Sequence, residues 1–268
     1  GQDTDKGYFD HLMETLKETE LVTDDLIRYD VAGVSDDNNY FVFEDMLSDC
    51  MSAFSRDPWV CRNACAPSQA NDKLYTEAER VSAVYPPCGI VPFQGMVLFA
   101  APLCYVWNEP HQLYFSMRAF YAQYCCRLCT ITSKEGDILQ LARQFETLLQ
   151  EACPELVFHL CEMGLPPLKI AFNWIFFAFA GYLEVDQVLA LWDRIVAWDS
   201  LLILPVLAVA IFSYRERSLL ECATPDDVKE LLEDTVRLKI VPLLHLFLFS
   251  EAMENHSKAR QADNKDKA

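Results

Sequence analysis

The chain has 268 residues, 52% of them hydrophobic, with 8 Gly and a formal net charge of −18 at pH 7. That length and apolar content suit one large domain or two tightly packed subdomains around a sizeable core. The charge disfavours nucleic acid and anionic membrane as partners, the few glycines argue against a many-stranded β protein, and neither GxxxxGK nor GxGxxG occurs to cradle a phosphate.

The first ten residues, GQDTDKGYFD, are polar and carry no secretory signal. Further on, FVFEDMLSDCMSAF (41–54) repeats apolar residues at helical spacing: Phe43, Met46, Leu47, Cys50, Met51 and Phe54. Just ahead of it, Asp36, Asp37, Asn38 and Asn39 offer oxygen ligands. Their spacing and the missing closing Glu do not fit a calcium loop, so a helix N-cap is expected there instead. Arg56, in FSRDPWV, reads as one half of an ordinary surface ion pair, worth under about 1 kcal/mol. PSQANDKLYTEAER (67–80) is polar and reads as a loop or an exposed helix start.

The stretch CGIVPFQGMVLFAAPL (88–103) is apolar except for Gln94. Taken alone, that glutamine caps the helix that follows, and Gly95 allows a tight turn. The chain holds 11 Cys. Cys61 with Cys65, and Cys125 with Cys126 and Cys129, are metal ligands by type, yet the spacing is not that of a paired CxxC site and no His lies near. Reduced thiols packed as small hydrophobes are expected, with no metal.

ITSKEGD (131–137) is a polar break and a plausible subdomain boundary. The next helix, DILQLARQFETLLQE (137–151), sets Ile138, Leu141, Ala142, Phe145, Leu148 and Leu149 in one stripe. IFFAFAGYL (175–183) and LLILPVLAVAIF (201–212) are too short to span a bilayer and read as buried core helices. Between them, EVDQVLALWDRIV (184–196) carries the stripe Val185, Val188, Leu189, Trp192 and Ile195. In TPDDVKELLEDTV (224–236), Thr224 is the expected N-cap and Pro225 the first helical residue, with Asp226 and Asp227 facing the positive helix end. Residues 251–268 are polar and read as frayed or disordered. His111, His159 and His245 pair with no Ser or Cys in a recognisable triad. Alternating strand patterns are hard to find, so the fold expected is all-α.

Three segments, in order, carry a family likeness: TDDLIRYDVAGVSDDNNYFVFEDML (23–47), GIVPFQGM (89–96), and LPPLKIAFNWIFFAFAGYLEVDQVLALWDRIVAWDSLLIL (165–204). Together they resemble the TBC domain of Rab GTPase-activating proteins, over roughly residues 8–249. The third is the most specific, ending in a Leu-Trp-Asp motif at Leu191, Trp192 and Asp193.

The resemblance implies a multi-helix domain of two helical subdomains, set here at 1–135 and 136–250, followed by the tail 251–268. The family's first helices are expected to be missing from this chain. The implied activity is acceleration of GTP hydrolysis by a Rab-family small GTPase, which would carry the GTP and Mg²⁺, so the domain needs no cofactor of its own. It implies a cytoplasmic protein of vesicle trafficking, recruited to membranes through its GTPase, with no transmembrane segment and no nucleic-acid partner. The oligomeric state is left open.

In that family an arginine from Ile-x-x-Asp-x-x-Arg and a glutamine from Tyr-x-Gln act in trans on the bound nucleotide. The arginine balances charge on the γ-phosphate, and the amide holds the attacking water in line. Here Ile27 and Asp30 are in register, but the arginine position is Gly33. The tyrosine position is Pro92, while Gln94 and the following Gly95 are kept. The family's Arg-Trp pair becomes Asn173–Trp174. Arg28 lies five residues before Gly33, about 140° around a helix, and is a poor substitute.

Without its arginine, Asp30 is expected to cap backbone N–H groups in VAGVSDD. Trp192 is expected in the core, Asp193 in a local pair or cap with Arg194 near, and Asn173 on a buried polar neighbour. The functional expectation is a weak or inactive Rab GTPase-activating domain. The alternatives are a non-catalytic module that binds a Rab or another partner, and a helical scaffold with no GTPase partner.

Overall fold

A computed structural model describes residues 6–18, 20–64, 86–131, 136–235 and 238–249. All regular elements among them are helical, as the periodicity predicts. The chain divides into two compact units, Gly1–Thr132 and Ser133–Ala268. The polar stretch 67–80, Cys65 and the tail 251–268 lie outside the described residues.

The first unit holds α1 (Lys6–Glu18), α2 (Thr23–Ser35), α3 (Glu44–Arg56), the short α4 (Pro58–Asn63) and α5 (Pro110–Phe120). Helix α3 is its centre and packs on α1, α2 and α5. Leu47, Cys50, Met51 and Phe54 recur at helical spacing and are all buried, with Phe54 edge-on to Tyr121 at 5.0 Å. The expected helix 41–54 begins three residues late, because 41–43 form a 3-10 turn. Asp37 does not cap α3. Its carboxylate accepts the Asn39 amide at 2.8 Å in a local turn, and the residue before α3 is Phe43, with no side-chain cap. From α5 the chain passes through a π-helical turn, Tyr121–Cys125, into residues 126–128.

A buried acid, Asp57, ties this unit together. It accepts the Tyr8 hydroxyl at 2.6 Å, the Trp59 amide at 2.8 Å, the Tyr114 hydroxyl, and the Arg118 guanidinium at 3.0 Å. That guanidinium lies 4.2 Å from the Trp59 ring centre and 4.9 Å from that of Phe115.

The second unit holds α6 (Ile138–Ala152), α7 (Pro154–Glu162), α8 (Pro167–Phe176), α9 (Val185–Trp198), α10 (Ile203–Leu220), α11 (Pro225–Glu233) and a helix at 240–249. Pro58, Pro110, Pro154, Pro167 and Pro225 each open a helix, where the missing N–H costs nothing. The α6 stripe is buried at Ile138, Leu141, Ala142, Phe145 and Leu149, and packs on α10. The first half of α10 is apolar all round and buried throughout Ile203 to Phe212 except at Val206, as expected of a core helix. Thr224 caps α11 in a full capping box with Asp227.

The other apolar run, 175–183, is not a helix. Helix α8 stops at Phe176, and Ala178 and Phe179 take φ values of 48° and 65°. Both are buried, and the Trp192 indole N–H donates to the Ala178 carbonyl at 3.0 Å. Burial of Phe179 against Trp174 and Tyr182 repays a backbone conformation that L-residues otherwise avoid.

Candidate functional site

Gln94 occupies the second position of a tight turn. The Phe93 carbonyl accepts the Met96 amide at 3.1 Å, and Gly95 sits at φ 87°, ψ 1°. A left-handed third residue is the mark of a type II turn, which explains the glycine. Pro92, which takes the place of a tyrosine, precedes this turn half-buried. A 3-10 helix, Met96–Phe99, starts at once, and Met96, Val97 and Phe99 are buried. The glutamine side chain is exposed and makes no hydrogen bond among the described residues. It caps nothing, contrary to the reading of that residue alone.

The turn is held by Asp30. Its Oδ1 accepts the Gly95 amide at 2.5 Å and its Oδ2 accepts the Val97 amide at 2.9 Å. These are free N–H groups at the start of the 3-10 helix, and the carboxylate satisfies both. Asp30 is 6% exposed, so the bonds form largely out of water. The expected local cap within VAGVSDD is therefore wrong, and the partner lies 65 positions away. Ile27, one turn earlier on α2, is buried and seats this face of the helix.

Gly33 lies one turn beyond Asp30 on α2, exposed, and a Cβ built there meets nothing within 4 Å. The backbone is ordinary helix, so a side chain is allowed and none is present. The two arginines considered as substitutes, Arg28 and Arg56, are committed elsewhere. Arg28 pairs with Asp25 and, at 3.7 Å, with Glu20, on exposed surface. Arg56 makes no ordinary surface pair. It is 5% exposed and grips Asp24 with both guanidinium nitrogens, Nη2 to Oδ2 at 2.6 Å. Burial pushes the Asp24 carboxyl up, but the Arg56 hydrogen bond, the Leu21 amide and the charges of Arg56 and Arg28 outweigh it and hold it low.

The remaining candidates belong to the second unit. Trp174 and Trp192 are buried, Trp174 stacked on Tyr182 at 4.2 Å. Asn173 and Asp193 are exposed with no side-chain hydrogen bond among the described residues. Neither the buried partner expected for Asn173 nor the local pair expected for Asp193 is found, and Arg194 donates instead to the Ala190 carbonyl. Cys61, Cys125, Cys126 and Cys129 form no disulfide, and no group of three or more metal-ligating side chains is placed to hold an ion among the described residues.

Sequence reasoning missed the Asp30–Gly95 bond and the Asp57 cluster. The Asp-Pro pair at 57–58 was the available signal for the second, since it opens a helix with a cap and a proline.

The fold and site together define an all-helical domain that presents a glutamine on a turn pinned by a buried carboxylate. The profile of the Rab-GTPase-TBC domain family matches residues 84–220, and the chain belongs to that family. It is 41% identical over 254 residues to the human protein TBC1 domain family member 19, covering 93% of this chain and 48% of that protein. It is 27% identical over 161 residues to human TBC1 domain family member 2A, covering 58% of this chain and 16% of that protein. A TBC domain-containing protein kinase-like protein of Dictyostelium discoideum is 28% identical over 126 residues, covering 46% of this chain and 12% of that protein. The chain thus spans about half the length of the first of these relatives and far less of the others. No helix among the described residues is long and apolar enough to cross a membrane.

Proposed function

We propose that this domain binds a Rab-family GTPase and sets the Gln94 amide beside the partner's nucleotide, with weak or no stimulation of hydrolysis. The observation that carries the reading is the pinned turn, since an exposed glutamine on a rigid support is what in-line placement of a water requires. An exposed apolar stripe beside it supports a protein partner: Val22, Leu26 and Tyr29 follow one face of α2 toward Gly33. The GTP and Mg²⁺ belong to the partner. Such a domain works in the cytoplasm and reaches membranes of vesicle traffic through its GTPase.

The weakness follows from Gly33. An arginine finger contributes roughly 10³–10⁵ in rate, or about 4–7 kcal/mol, and no cation stands at that position. This favours the second reading, a module that binds the GTPase without accelerating it. The test is GTP hydrolysis by a panel of Rabs, with the domain and with Gln94→Ala. A tenfold or greater rate increase that disappears in the variant supports catalysis. Binding to a GTP-loaded Rab with no rate increase supports the module. No binding to any Rab overturns both.

A further inference from the structure

A half-open pocket of about 230 Å³ lies in the first unit, against the segment that leads into the Gln94 turn. Helix α4 forms one side, residues 88–93 another, and the π-helical turn with the residues after it the third. The wall is rich in sulfur and rings: Cys61, Cys88, Cys126 and Cys129, with Phe93 and Tyr121. None of the four cysteines is in a disulfide. Burial pushes the Cys88 and Cys129 thiols up to about 12 each, so both stay neutral at physiological pH. No Asp, Glu, Lys, Arg or His is among the lining residues described. Cys61 and Val91 are exposed, which leaves a way in.

Among the described lining residues an ion finds no counter-charge, and the lining is more apolar than polar. A cavity of about 150 Å³ with an apolar wall already admits benzene, and this one is larger. Sulfur packs well against aromatic ring edges, rings pack well on one another in offset contact, and Phe93 and Tyr121 are both among the lining residues. We propose that the cavity is a binding site for a small, uncharged aromatic molecule of about the size of indole. π-Helical turns recur at functional sites, and one frames this wall.

The site connects to the finger position through Phe93. Phe93 lines the cavity, and its carbonyl closes the Gln94 turn on the Met96 amide. A ring that packs on Phe93 therefore reports at Gly95, whether or not the domain acts on a GTPase.

Indole is the probe. The whole chain, labelled for amide NMR, is titrated with it while N-ethylmaleimide alkylation of Cys61 is followed by mass spectrometry. The expected result is saturable shifts at Cys61, Cys88 and Gly95 with a dissociation constant on the order of 1 mM or tighter, and slowed alkylation. Val91→Trp fills the rim from an exposed position, so the fold is kept, and it should abolish both effects. Benzoate and imidazolium should fail to bind. The proposal is overturned by an absence of saturable shifts in the unmodified chain, by equal binding of the charged probes, or by shifts and protection that persist in Val91→Trp.

Discussion

Asp30 holds Gly95 across 65 positions of chain, carboxylate to backbone amide, at 2.5 Å. Its second oxygen holds Val97 at 2.9 Å. One helix of the first unit thereby sets the backbone on either side of Met96, directly after the glutamine. Asp30→Asn keeps the shape but replaces one acceptor with a donor that faces an N–H. It should cost about 1.5–3 kcal/mol, the range for a hydrogen bond to a charged group. Urea denaturation measures this, and amide exchange at Gly95 should speed up in parallel. An unchanged midpoint with unchanged exchange at Gly95 would falsify the anchor.

Most of the helical order was legible beforehand, because stripes such as Leu47–Cys50–Met51–Phe54 are written into the sequence at 3.6-residue spacing. The Thr224 cap was legible for the same reason: it is a local signal, read within four residues. What failed was non-local. Asp30 and Arg56 each looked like surface or turn residues, and each has its partner more than thirty positions away. The run 175–183 misled because apolarity reports burial and not conformation: Ala178 and Phe179 are buried in left-handed backbone. The turn that carries Gln94 was singled out only through the family motif, since it depends on Gly95 and on a carboxylate from another helix.

Gly33 is helical, exposed, and surrounded by open space on the Cβ side. Gly33→Ala should therefore stabilise the unit, by up to about 1 kcal/mol, by reducing the freedom of the unfolded chain. Gly33→Arg should be tolerated equally and add a guanidinium one turn from Asp30. If the proposed function holds, that variant raises GTP hydrolysis by a bound Rab at least tenfold over the unmodified domain. A well-folded Gly33→Arg that leaves the rate unchanged removes the case for this position.

The Arg56–Asp24 pair joins the start of α2 to the end of α3. Truncating one member leaves the other charge with little water. Arg56→Met should cost about 3–5 kcal/mol, the usual toll for breaking a buried pair. The pH dependence has a definite sign. The Asp24 carboxyl lies below its ordinary value in the folded chain, so its stabilisation is present above about pH 4 and is lost as pH falls toward the folded value. Thermal melts from pH 7 down to pH 3 should show a loss of stability that is shallower in Arg56→Met. Parallel acid profiles for the two proteins count against the pair.

Trp192 shows what the Leu-Trp-Asp motif does for the second unit. Its ring is buried on α9, and its N–H reaches the carbonyl of Ala178, the first of two consecutive residues at positive φ. Two left-handed L-residues in a row cost on the order of 1–2 kcal/mol each, and they persist only where the surroundings hold them. Packing accounts for part of that hold, through Phe179 against Trp174 and Tyr182. The indole bond accounts for another part, because the Ala178 carbonyl is buried and needs a donor. Trp192→Phe keeps a ring in the core but removes the donor and some volume. It should cost about 2–4 kcal/mol, the sum of an unsatisfied buried carbonyl and a partial cavity. Phe179→Gly separates the two contributions: it relieves the strained backbone and removes the ring that packs on Tyr182. If the backbone strain dominates, Phe179→Gly costs less than a buried Phe-to-Ala change, about 3–5 kcal/mol. If it costs as much or more, the ring contacts dominate and the strain is minor. Guanidinium denaturation of both variants decides between these outcomes, with the Tyr182 hydroxyl bond to the Leu232 carbonyl, 2.9 Å, as a local marker by amide exchange in α11.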